Sequence, residues 1–121
     1  MICLQGASAV QHVLDGHHSD SLRVFVVWEP VLPTDWISPS IFTMRRTSDS
    51  RVQQYWDKGR LLSKAMGEHD KTSIVWDWVG VYASDAIWEG QPPKPIFEDG
   101  PVVRVIPAFT NALEHAAPAK N

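Results

Sequence analysis

The sequence predicts an α/β fold, and three stretches carry the prediction. Residues 5–14 place Ala7, Val10, Val13 and Leu14 at helical spacing. Residues 22–28, LRVFVVW, are β-branched and aromatic and too short for a helix of that composition. Residues 74–82, IVWDWVGVY, belong to the longest apolar run in the chain and read as a second, buried strand.

Each element follows in order. The first helix is expected to stop at Gly16, where a left-handed residue would end it. His17, His18, Ser19 and Asp20 make a polar turn into the LRVFVVW strand. Pro30, Pro33 and Pro39 then exclude both a strand interior and the start of a long helix, so residues 29–40 are expected to form an ordered loop held by Trp36. Ser48 is placed to cap a helix with Asp49 in its first turn and Val52, Tyr55 and Trp56 on one face. Gly59 interrupts it, and a short second turn puts Leu61, Leu62, Ala65 and Met66 inward before Gly67 closes it. A strand over residues 73–82 comes next, with a short hairpin partner near Trp88, a loop at QPPKP (residues 91–95), a strand at VVRVI (residues 102–106), and one or two helical turns over residues 109–115. The order is an α/β pattern with its first strand missing. It makes one domain over residues 1–115 with a loose tail at 116–121. The Trp-Asp pairs at Trp56 and Trp76 lie 20 residues apart on different elements, which excludes a propeller, whose blades need about 40 residues each.

Composition narrows the function classes. With 121 residues, 44% of them apolar and 21% charged, the chain suits one core. A formal charge of -3 gives no electrostatic reason to expect nucleic acid or an anionic membrane as partner. No apolar stretch approaches the roughly 20 residues of a membrane span, and no basic start precedes a long apolar segment, so a soluble cytoplasmic protein is expected. Six of the eleven basic residues fall within residues 45–64 and read as a solvated helical face. The single cysteine, Cys3, excludes an internal disulfide and a multi-cysteine zinc site. The five histidines have no metal-binding spacing, and neither a glycine-rich phosphate loop nor a serine elbow occurs, so no metal or cofactor is expected.

All six tryptophans have an acidic neighbour: Glu29, Asp35, Asp57, Asp77 (beside both Trp76 and Trp78) and Glu89. Strand alternation would put Trp76 and Trp78 on one face and Asp77 on the other, where a covered carboxylate needs a partner. Arg51, Arg60 and the Trp56 indole are the candidates. A structural ion pair or cap is one role for Asp77. The other is as proton acceptor for a thiol, should Asp77, Glu29 and Asp35 converge at strand ends near Cys3.

The pieces ICLQGASAVQHVL, VVWEPVLPTDW, DSRVQQYWD and IVWDWVGVY together resemble a group of small thioredoxin-like bacterial proteins, over roughly residues 2–105. In that group a Cys-x-x-Cys motif precedes the first helix, and the DSRVQQYWD segment is read as a helix. The resemblance implies a thioredoxin-like sheet with flanking helices, incomplete at the N-terminus. Cys3 takes the second cysteine's place, while the first cysteine, the strand leading into it and a proline immediately before Ser73 have no counterpart. A fragment beginning at an internal methionine and a natural chain that has lost the redox pair both fit.

The resemblance points to thiol-disulfide exchange, yet one thiol cannot both attack a disulfide and resolve the mixed product. Cys3 stands just ahead of the expected helix, where amides and dipole favour the thiolate. The expected function is a truncated or degenerate thioredoxin-like domain that acts on a thiol or protein partner without completing a two-thiol cycle. The alternative is a non-catalytic binding module that uses Trp28, Glu29, Pro33, Asp35 and Trp36. Because the strand absent from the thioredoxin-like pattern would lie between LRVFVVW and IVWDWVGVY, either these two strands pair directly or a strand of another molecule fills the gap, and self-association is expected.

Overall fold

The structure, a computed structural model, describes residues 2–30, 44–67 and 77–116, with side chains in the first helix from Gln5 onward. Helix α1 spans Ile2–Asp15. Its covered face carries Gly6, Val13 and Leu14, with Val10 half-buried, the spacing of one helical stripe. Leu14 is 1% exposed, a burial that contributes about 1.5 to 3 kcal/mol. The helix ends by tightening, with Gly16 N–H donating to Val13 O and His17 N–H to Leu14 O, both at 3.2 Å. The left-handed stop expected at Gly16 is not used; a positive φ closes the later short helix instead, at Gly67.

Strand β1, Val24–Trp28, matches the LRVFVVW expectation. It pairs in parallel with β2, Val52–Trp56, from Val24↔Val52 to Trp28↔Trp56. Here the expected Ser48-capped helix is corrected. Val52, Gln54 and Trp56 are half-buried while Gln53 and Tyr55 are exposed, the two-residue alternation of a strand. Valine, tyrosine and tryptophan suit a pleated surface, and positions 52, 55 and 56 also satisfy helical spacing, so the pattern was ambiguous. Ser48 N–H donates to Gln11 Oε1 (2.8 Å), and Asp49 Oδ1 accepts from Arg51 N–H (2.9 Å), forming a turn into β2.

Helix α2, Leu61–Ala65, follows. Ser63 is its buried residue and Leu62, Ala65 and Met66 are half-buried as expected, while Leu61, also expected inward, is 71% exposed. Beyond residues 68–76, which lie outside the described residues, β3 covers Val79–Val81. The expected strand over 73–82 is thus shorter at its described end, and Asp77 stands before it in a bend with φ 49°. β3 pairs antiparallel with β4, Phe97–Asp99, and not with a strand at Trp88, which is 51% exposed beside an isolated Glu89↔Gln91 bridge. VVRVI forms no strand: Val102–Arg104 is a 3-10 turn leading into helix α3, Ile106–Ala116. Pro107 falls in the first turn of α3, where its missing N–H has no intrahelical partner to lose. Ala116, expected to open the tail at 116–121, closes α3 instead, and residues 117–121 lie outside the described residues.

The described residues form an α/β arrangement with two separate two-stranded sheets, β1-β2 and β3-β4. Val13 of α1, Val81 of β3 and Phe109 and Leu113 of α3 make the apolar core, flanked by Leu22, Val79, Phe97, Ile106 and Ala112. The β1-β2 sheet is tied to α1 mainly through polar contacts. Thr47 Oγ1 donates to Ala7 O (3.0 Å), and Arg51 donates to Leu14 O (2.8 Å), His17 O (2.6 Å) and Ser19 O (3.2 Å). No helix among the described residues is long and apolar enough to cross a membrane.

Candidate functional site

Asp77 is held between two segments far from it in sequence, Gly6 of α1 and residues 100–102. Its left-handed φ is one that aspartate tolerates better than most residues. Its Oδ1 accepts the Val102 N–H at 3.1 Å, at the start of the 3-10 turn. A Cβ built on Gly6 of α1 would stand 3.3 Å from the same oxygen and 3.2 Å from Val102 Cβ, so the glycine lets the helix approach the carboxylate. On the other side, a Cβ on Gly100 would run into the Asp77 carbonyl oxygen. The second carboxylate oxygen, Oδ2, is buried and takes no hydrogen bond among the described residues. A sequestered carboxylate with an open acceptor is equipped to receive a proton.

None of the partners expected for Asp77 holds it. Arg51 is bound to Asp49 through Nε to Oδ1 and Nη2 to Oδ2, both 2.8 Å. That pairing draws the Asp49 carboxyl down from 3.8 to about 2, through the Arg51 side-chain and backbone hydrogen bonds against the opposing effect of burial. Cys3 lies within the first turn of α1 and not ahead of the helix, three residues before Gly6.

The other expected site residues do not join this cluster. Glu29 Oε1 accepts the Ser63 N–H (3.2 Å) and Asp57 Oδ2 the Leu62 N–H (2.9 Å), so these two carboxylates cap the start of α2. Trp28 is half-buried, and its indole donates to Gln54 Oε1 at 2.8 Å. Gln54 Nε2 donates in turn to Met44 O and Thr47 O, each at 2.7 Å, which makes Trp28 part of a packing network and not a free docking surface. Pro33, Asp35 and Trp36 lie outside the described residues.

Sequence reasoning missed the glycines at 6 and 100 and the Val102 amide, because their role depends on a close approach that periodicity does not encode. It also missed His17, 4% exposed, whose Nδ1 lies 3.1 Å from Glu114 Oε2 and joins the end of α1 to α3. Among the described residues no group of three or more histidine, cysteine, aspartate or glutamate side chains is placed to hold a metal ion. No protein-family model, curated protein or solved structure matches the chain.

Proposed function

We propose that the chain is a thioredoxin-like domain whose chemistry rests on a single thiol: Cys3 forms a mixed disulfide by attack on a disulfide-bearing partner, and Asp77 accepts the thiol proton. The observation that supports this reading is the Asp77 carboxylate against Gly6, one helical turn from Cys3, with Oδ2 buried and open. Positions three apart share a helix face. The first turn of a helix favours the thiolate through its amides and dipole.

In the exchange, the Cys3 proton passes to Asp77 and the thiolate attacks one sulfur of the partner's disulfide. A new S–S bond forms, the partner's S–S bond breaks, and the departing thiolate takes up a proton. With one cysteine in the chain, the mixed disulfide is resolved by a thiol from outside. Oxidation state is conserved, since one disulfide replaces another.

Incubation with glutathione disulfide, followed by intact-mass measurement, tests the reading. A single glutathione adduct is expected, lost in Cys3→Ser, together with no acceleration of insulin reduction by dithiothreitol. Absence of the adduct would remove the thiol role, and sustained insulin turnover would show that the single-thiol mechanism is wrong.

A further inference from the structure

The ribbon of β3 and β4 has one face in the core and a different chemistry on the other. Val79, Val81 and Phe97 pack with the core, so strand alternation turns Gly80 and Glu98 to the opposite face. The register sets these two directly across from each other. Gly80 leaves its place on that face open, and the Trp78 ring takes it: a Cβ built on Gly80 would stand 2.9 Å from Cζ2 and 3.0 Å from Cζ3 of the indole. Tyr82 lies two residues further along the chain. Burial raises its pKa above the ordinary value and the Glu98 charge raises it further, so the phenol and the carboxylate are within electrostatic reach. Glu98 itself is exposed, and no salt bridge among the described residues involves it.

We propose that this face binds an arginine side chain of a partner protein, with the guanidinium paired to Glu98 and stacked against the Trp78 and Tyr82 rings. A guanidinium is planar and weakly hydrated, stacks on aromatic faces, and offers two parallel N–H donors to one carboxylate. An ammonium is a compact, strongly hydrated point charge and matches only the acid. The surroundings favour an arginine within a polypeptide over the free amino acid. Residues 83–99 carry Asp85, Glu89, Glu98 and Asp99 against Lys94 alone, all of them exposed. That charge repels a free α-carboxylate and attracts a basic segment. Ile87 (70% exposed) and Trp88 (51% exposed) add apolar contacts that such a segment can meet.

NMR titration tests this with a capped Gly-Arg-Gly peptide, its lysine and citrulline counterparts, and free arginine. The reporters are the Trp78 indole N–H, assigned by its loss in Trp78→Phe, and the Glu98 amide. The arginine peptide should shift both signals saturably, the lysine peptide should bind about fivefold or more weakly, and the neutral citrulline peptide should not bind. Free arginine should bind more weakly than the capped peptide. Glu98→Gln, at an exposed position, should weaken the arginine peptide about tenfold or more, while Glu89→Gln should change it by less than about twofold. Absence of any shift with the arginine peptide overturns the proposal. So does binding undiminished in Glu98→Gln, or equal binding of the arginine and lysine peptides, which is the behaviour of a merely acidic surface. Free arginine binding as tightly as the capped peptide would overturn the assignment to a protein partner.

Discussion

Asp77 keeps its left-handed backbone between Gly100 and Gly6 while its side chain takes the Val102 amide, so different substitutions at and around it should separate these roles. Asp77→Asn keeps both the tolerance for positive φ and an oxygen for Val102, and its cost is expected to stay below that of Asp77→Ala. The alanine strands a backbone donor and strains the turn, for a loss of about 1 to 3 kcal/mol. Gly100→Ala should cost at least as much, since its methyl meets backbone and not a side chain that can rotate away. Denaturant midpoints of the three variants check the order; equal midpoints for Asn and Ala would mean that the Val102 bond contributes nothing. Asp49 sets a second expectation. Its folded pKa of about 2 lies below the ordinary 3.8, so the ion pair with Arg51 stabilises fully above that ordinary value and is lost as pH falls through about 2. The loss is on the order of 2 kcal/mol, and unfolding measured between about pH 5 and pH 2 should show it diminished in Asp49→Asn.

At the scale of elements, α1, β1 and α3 were legible because their signals do not compete. α1 has a helical stripe over four turns, and β1 is a short run of β-branched and aromatic residues. β2 was misread because Val52, Tyr55 and Trp56 fit a helix face, while the evidence for a strand, the burial of Gln54 between them, comes from tertiary contacts. VVRVI has strand propensity over five residues, but it sits between Pro101 and Pro107 and enters a helix. The site was half legible: Asp77 and Cys3 could be singled out by residue type, whereas the glycines and amide around Asp77 could not. The strand reading of β2 has its own test. Gln54→Ala leaves the Trp28 indole and the Met44 and Thr47 carbonyls without their amide, and should cost about 1 to 3 kcal/mol with a shift in tryptophan emission. Gln53→Ala, on the exposed face, should stay within about 0.5 kcal/mol. Similar costs for both would contradict the alternation.

At the scale of the whole molecule, α1 is the piece that both halves share. It packs Val13 into the core with β3 and α3, and receives Thr47 and Arg51 from the β1-β2 side along its length and at its end. The apolar core meets this helix at Val13 and the polar clasp at Ala7 and Leu14, so Gly6 of α1 meets Asp77 through the overall packing and not through any local motif. Whether that meeting carries thiol chemistry is decided most directly by the pH dependence of Cys3 alkylation in the wild-type chain and in Asp77→Asn. A helix-activated thiol should titrate below the free-thiol value of about 8.5, and Asp77→Asn, which removes the proton acceptor, should slow its alkylation below that midpoint. A midpoint at or above the free-thiol value, with alkylation unchanged by the substitution, would contradict the single-thiol site.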